Sequence, residues 1–215
     1  LMQRKIGLLF SGQGAQAVGM GKDLAAEYPV AAALFRQADE ILERPLSQVM
    51  FEGPEEDLTR TANCQPALYV HGLACLAVLR DQVPGLNPVA AAGLSLGEFT
   101  AHAAAGTFTF EQGLRLVAHR GEYMDEACRT TEGGMAALLG AEESDVRNLA
   151  SETDVDVANL NCPGQIVISG ESTKIALAVS LAKDHGIRVA RSLNVAGAYH
   201  SRLMESCLLY TSPEP

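Results

Sequence analysis

The stretch VAAAGLSLGEFTAH, residues 89–102, constrains the fold more than any other part of the chain. A short apolar run ends in Gly93-Leu94-Ser95-Leu96-Gly97, and a helix-like segment follows with Glu98 in its first turn. Glycines two residues to either side of a serine remove the Cβ clashes of a sharp strand-to-helix turn. The serine hydroxyl is then presented on a strained, exposed corner, the pattern of a nucleophile elbow. Such a corner needs a strand before it and a helix after it, so the fold class is α/β. In a chain with 20 glycines the pattern is weak by itself, and an ordinary glycine-rich turn is the plain alternative.

The N-terminal segment KIGLLFSGQGAQAVGMG repeats this grammar, with an apolar strand at 6–10 running into a glycine-rich loop. The loop lacks the GK[ST] of a phosphate-binding loop and departs from the dinucleotide GxGxxG spacing. Helices are predicted over 30–42 and 66–80. The second is apolar nearly all round, hence buried, with Pro66 at its first position and His71 as a packed histidine. PVAAAGLS reads as a short buried strand. From Gly133 the pattern becomes β-α-β-β-α-β, a ferredoxin-like order. This predicts a small subdomain over 127–196, inserted into a larger body formed by 1–126 and 197–215.

The net charge of −10 over 215 residues excludes the basic footprint of a nucleic-acid binder and disfavours an anionic membrane surface. No window is read as approaching the length of a membrane span. An anionic substrate would need a cation placed locally in its site. The five cysteines form no CxxC pair, so neither zinc nor a disulfide framework is expected. Reduced thiols and an N-terminal apolar run too short for a secretory signal predict a cytoplasmic protein.

A serine hydroxyl needs a base to take its proton and donors to stabilise the charge that develops. Of the five histidines, His71 and His102 are predicted on helices, and His185 reads as a helix-end contact. His200, in NVAGAYHSRLM, follows the last strand of the small subdomain on a loop and is the better placed base.

Together FSGQGAQAVGMG, GLSLGEFTAH, HRGEYMDEA, NLNCPGQIVISG and GAYHSRLM resemble the malonyl-CoA:acyl carrier protein acyltransferases, the malonyl transacylases, and the acyltransferase domains of polyketide synthases. The resemblance runs in order from residue 5 to about 205. It implies an α/β-hydrolase-like large subdomain with an inserted ferredoxin-like small one. It further implies Ser95 as nucleophile, His200 as base, and Arg120 as holder of the malonyl carboxylate. The backbone N–H groups of Gln13 and Leu96 would form the oxyanion hole, and Tyr199 would favour malonyl over its methylated analogue. Malonyl-CoA would be the substrate and acyl carrier protein the partner, in fatty acid or polyketide synthesis, with no metal or redox cofactor. A serine hydrolase and a non-catalytic carrier-docking module are the rival readings. Two features depart from the pattern. Leu94 stands where the family often has histidine, and the resemblance ends after Glu205. CLLYTSPEP matches nothing in the family and reads like a junction foreign to the natural protein. The chain is therefore expected to be a C-terminally shortened member without the residue that orients His200.

Overall fold

A computed structural model describes residues 5–209 of the chain, which divides into two compact units, Leu1–Glu122 and Tyr123–Pro215. Of the CLLYTSPEP segment, residues 207–215, the last six (210–215) lie outside the described part.

In the first unit, strand β1 (Gly7–Phe10) leads through helices α1 (Lys22–Glu27), α2 (Pro29–Leu42), α3 (Leu46–Glu52) and α4 (Glu55–Thr59) to the long helix α5 (Thr61–Gln82). Strand β2 (Ala90–Gly93), helix α6 (Leu96–Ala104) and helix α7 (Phe110–Thr130) follow, and the division between the units falls inside α7. Strands β1 and β2 pair in parallel, Gly7 with Ala90 through Phe10 with Gly93. Around α5 the side chains of Phe35, Leu46, Met50, Leu58, Tyr69, Val70 and Leu114 form the core. Tyr69 is fully buried, and its hydroxyl donates to the Phe110 carbonyl at 3.1 Å. A Cβ on Gly113 would lie 2.1 Å from that hydroxyl oxygen, so only glycine lets α7 come this close.

Three expectations are corrected here. Helix α5 begins at Thr61, so Pro66 lies inside it rather than at its first position. A proline there leaves the carbonyl four residues back, that of Ala62, without its helical donor. Arg44 supplies the replacement: Nη2 donates to the Ala62 carbonyl at 2.8 Å and Nη1 donates to Asn63 Oδ1. Burial pulls the Arg44 guanidinium below its ordinary value, with Glu122 opposing that shift. Second, the lengthened α5 is apolar and long enough to cross a membrane by composition, although no such window was expected. Half of its most apolar stretch is buried within the protein, as a core helix requires. Third, the strands of the first unit are not buried. They alternate between exposed and half-buried positions, Leu9 is 86% exposed and Val89 62%, because one face of this two-stranded sheet has no cover among the described residues.

The second unit contains β3 (Gly133–Leu139), α8 (Glu143–Thr153), β4 (Asp156–Cys162), β5 (Gln165–Glu171), α9 (Ser172–Leu181) and β6 (Val189–Ser192). A 3₁₀ turn (Arg202–Met204) and a short helix α10 (Glu205–Leu209) close the described chain. The sheet is antiparallel throughout, in the order β4-β5-β3-β6. Alternation along the strands gives it two apolar faces. Ala136, Leu138, Ile166 and Ile168 pack against Val146 and Leu149 of α8 and Ile175 and Ala178 of α9. Met135 and Val167 point the other way, onto Met124, Ala127, Tyr199 and Met204. The segment from residue 197, assigned from sequence to the larger body, thus packs as far as residue 209 in the second unit. The boundary stands at 122/123 where the sequence reading put it at 126/127.

Candidate active site

The two parallel strands end side by side, and the Leu94 N–H extends their ladder by donating to the Phe10 carbonyl at 3.2 Å. Ser95 follows at φ 51° and ψ −105°, between the end of β2 and the start of α6. A non-glycine residue held in such a region stores roughly 1–3 kcal/mol that the surroundings must offset. The surroundings are visible in the glycines. A Cβ on Gly93 would stand 2.0 Å from the Gly97 carbonyl, and one on Gly97 would stand 2.4 Å from the Phe10 oxygen. A Cβ on Gly12 would lie 2.6 Å from the Leu94 oxygen. Three backbone segments therefore meet at distances only glycine permits, and that packing holds the serine corner. Leu96 buries its side chain to 1% exposure, which anchors the first turn of α6. Its N–H, at the first helical position, has no acceptor within the helix and lies at the positive end of the macrodipole.

Arg120, on α7, reaches this corner. Its Nη2 donates to Ser95 Oγ at 3.0 Å and its Nη1 donates to Gln65 Oε1 at 2.6 Å. The guanidinium carbon also lies 5.6 Å from the centre of the Phe99 ring, within cation–π range. Gln65 is 1% exposed and was missed by the sequence reading. A buried glutamine beside a proline on an otherwise apolar helix was the available signal. The helix predicted from Pro66 begins one residue after Gln65, whereas the observed helix begins at Thr61.

Gln13 lies on the loop after β1, where its Nε2 donates to Thr61 Oγ1 at 3.4 Å. The neighbouring Gly14 N–H donates to Gln16 Oε1 at 2.8 Å, and burial pushes the pKa of the Cys64 thiol up to about 12 against the opposing influence of the Gly14 amide. The first turns of α5 thus tie down the Gln13 loop through Thr61 and steer Arg120 through Gln65. Ser95, Leu96, Arg120 and Gln13 all belong to the first unit, and His200 belongs to the second. His200 lies on the loop after β6, exposed, with φ 58°. His71 is depressed by burial and has the Cys75 sulfur 3.8 Å away, in keeping with a packed histidine. His185 differs from expectation, since its ring pairs with Glu152 at 3.0 Å rather than capping a helix.

Residues 8–209 match the family described as the acyl transferase domain. The chain is 45% identical to the malonyl CoA-acyl carrier protein transacylase of Bacillus subtilis (strain 168), over 94% of this chain and 64% of that protein. It therefore spans a little under two thirds of that relative's length. Among solved structures, it is 40% identical to an acyl-carrier-protein-S-malonyltransferase from Bartonella henselae, with a TM-score of 0.88 over 94% of this chain and 67% of that one. It is 34% identical, with a TM-score of 0.91 over 96% of this chain and 68% of the other, to a structure of a type II polyketide acyl-carrier protein in complex with its malonyl-transacylase. With an elbow serine, an arginine aimed at it and likeness along nearly the whole described chain, this protein belongs to the acyl transferase domain family.

Proposed function

We propose that the chain carries the acyl-transfer site of a malonyl-CoA:acyl carrier protein transacylase, working in fatty acid or polyketide synthesis in the cytoplasm. In this reading the α/β-hydrolase-like body supplies Ser95, Leu96, Arg120 and Gln13, and a ferredoxin-like small subdomain accompanies it. The observation that carries the reading is the Arg120 guanidinium 3.0 Å from Ser95 Oγ. A cation at the nucleophile selects an acyl group that bears its own negative charge, and its planar fork suits a carboxylate.

The chemistry proceeds in two balanced halves. Ser95 Oγ attacks the thioester carbonyl of malonyl-CoA while its proton passes to His200. The tetrahedral oxyanion is held by the N–H groups of Gln13 and Leu96. It then collapses as the C–S bond breaks, and the CoA sulfur leaves with the proton from His200. In the second half His200 takes the proton of the phosphopantetheine thiol on acyl carrier protein. That sulfur attacks the malonyl-Ser95 ester, and the proton returns to Ser95 as the ester bond breaks. Malonyl carboxylate and Ser95 Oγ compete for the same guanidinium. Arrival of the substrate therefore draws Arg120 onto the carboxylate and leaves the hydroxyl to the base.

Intact-mass spectrometry after mixing with malonyl-CoA tests the reading. A malonyl adduct that is absent in Ser95→Ala and passes to the carrier thiol supports it. An adduct lost to water at the same rate with or without carrier points to a hydrolase. No adduct at all overturns it for this chain.

A further inference from the structure

The loop that carries His200 is anchored on both sides. Before it, Ala198 and Tyr199 are buried. Their approach is close enough that a Cβ on Gly197 would lie 2.3 Å from Cys128 Sγ, and one on Gly133 would lie 2.5 Å from the Ala198 nitrogen. After it, Ser201 Oγ donates to the Ala198 carbonyl at 2.6 Å and accepts the Leu203 N–H at 3.2 Å. The most extensive tie comes from Arg202. Its backbone N–H donates to Asp156 Oδ2 at 2.8 Å, and its Nη2 donates to Asp156 Oδ1 at 2.8 Å. Its Nε lies 3.2 and 3.1 Å from the same two oxygens, and its Nη1 donates to Asp154 Oδ1 at 2.7 Å. One carboxylate thus holds both the main chain and the side chain of the residue two places after His200.

The partners of Arg202 are themselves fixed. Asp156 opens β4 and stands in register with Ser169 of β5. Asp154 terminates α8 with φ 54° and takes a second cation, Lys174 Nζ, at 2.7 Å, which also reaches Glu171 at 3.2 Å. His200, with φ 58°, holds a backbone conformation that a non-glycine residue adopts at a cost. Something must hold it there, and the Arg202 clamp is the charged, two-toothed contact nearest to it in sequence.

We propose that Arg202 and Asp156 are positioning residues for the acyl-transfer reaction, fixing the backbone at His200 and hence the direction in which its imidazole is presented. The inference rests on the reading of His200 as the base. Exposed ion pairs contribute little to stability. A clamp kept only for stability would therefore be nearly silent when removed, whereas one that aims a base is not. A misplacement of about 1 Å costs on the order of 100-fold in rate.

Three variants, Arg202→Ala, Arg202→Lys and Asp156→Asn, are compared with His200→Ala in the full chain. Two readouts are taken: amide hydrogen exchange at residues 200–203, and the rate of malonyl labelling from malonyl-CoA. We expect Arg202→Ala to raise exchange at residues 200–203 by about tenfold or more while β3 and β5 keep their protection. Labelling should slow about 10- to 100-fold with the half-saturating malonyl-CoA concentration and the thermal midpoint unmoved. Arg202→Lys keeps the charge but not the fork and should recover part of the rate. Unchanged exchange at 200–203 overturns the proposal. So does normal labelling in Arg202→Ala when His200→Ala has abolished it. If His200→Ala labels normally, the role of His200 itself fails, and exchange alone then decides whether the clamp fixes the loop.

Discussion

The two sheets of this protein solve opposite problems. The antiparallel sheet β3–β6 is apolar on both faces and covers both, with α8 and α9 on one and the Tyr199–Met204 segment on the other. Among the described residues the parallel sheet consists of β1 and β2 and leaves Leu9 86% exposed. Parallel strands ordinarily lie buried on both faces, and a two-stranded sheet is marginal by itself. Yet the thinner sheet carries Ser95, at the carboxyl ends of its strands where α/β sheets commonly place their ligand sites. Shape there is held by close backbone contact at glycines and by α5 behind it, rather than by burial of the strands. The site region is therefore intolerant of added atoms, whereas the other sheet is tight at its end, at Gly133 against Ala198, and has room at Gly134.

Glycine substitutions give the sharpest contrast. Gly93→Ala puts a Cβ 2.0 Å from the Gly97 carbonyl, and the backbone there has nowhere to move. It should destabilise the first unit by about 3 kcal/mol or more and abolish malonyl labelling. The matching change in the other sheet, Gly134→Ala, meets nothing nearer than the Ser172 hydroxyl at 3.4 Å. It should stay within about 1 kcal/mol of wild type, as urea titration would show. Equal losses would erase the distinction between the sheets.

Gln65→Leu comes next. It removes the acceptor of a charge-assisted bond to Arg120, worth about 1.5–3 kcal/mol, and leaves a guanidinium donor without its partner. Malonyl labelling should fall roughly tenfold or more, with a smaller effect on acetyl labelling, since only the charged acyl group depends on the direction of Arg120. Parallel losses for both acyl groups would make Gln65 a packing residue.

The two units should also respond to opposite extremes of pH. The Cys64 thiol, on α5, is raised from 9.0 to about 12 by burial. A raised folded value means the contribution is complete below pH 9 and drains away as the pH climbs towards the folded value. At about 1.4 kcal/mol per unit, the loss reaches up to about 2 kcal/mol near pH 10.5. Chemical denaturation at pH 8 and pH 10.5 should show it, and Cys64→Val should remove it. In the second unit Asp154 and Asp156 are held below the ordinary 3.8, the first mainly by Lys174 and then Arg202, the second by Arg202. Lowered values give a contribution present above about pH 4 and lost as the pH falls through the folded values. Asp154 is exposed and Asp156 half-buried, and the change will be small. Acid that loosened the first unit before the Arg202 clamp would contradict the assignment.

The smallest effect concerns Ser169, whose hydroxyl is buried in the antiparallel sheet with no hydrogen-bond partner among the described residues. Ser169→Ala deletes an unsatisfied polar group from an otherwise well-covered sheet. It should raise stability by about 1 kcal/mol and the thermal midpoint by a few degrees. A lower midpoint would show that the hydroxyl has a partner after all.

Arg120 entered only through the family resemblance, whereas local pattern was enough to find the elbow at Ser95, the glycine loop around Gln13 and the strand–helix order of the second unit. Each depends on residues within a few positions of one another. A glycine that lets the chain turn, or an alternation that faces a sheet both ways, acts at that range. What escaped depends on contacts between residues far apart in sequence. Pro66 lies inside a helix because Arg44, 18 residues before Ala62, takes the carbonyl that proline orphans. Gln65 matters because Arg120 comes back to it across 55 residues. The His200 loop is held by a carboxylate 46 residues upstream of Arg202. The sequence by itself determined which groups can do chemistry and which local turns they occupy, since these follow from side-chain identity and backbone sterics. Only the tertiary structure decided which buried polar partners aim them and which strand faces stay bare, because hydrogen-bond satisfaction and burial belong to the packed chain.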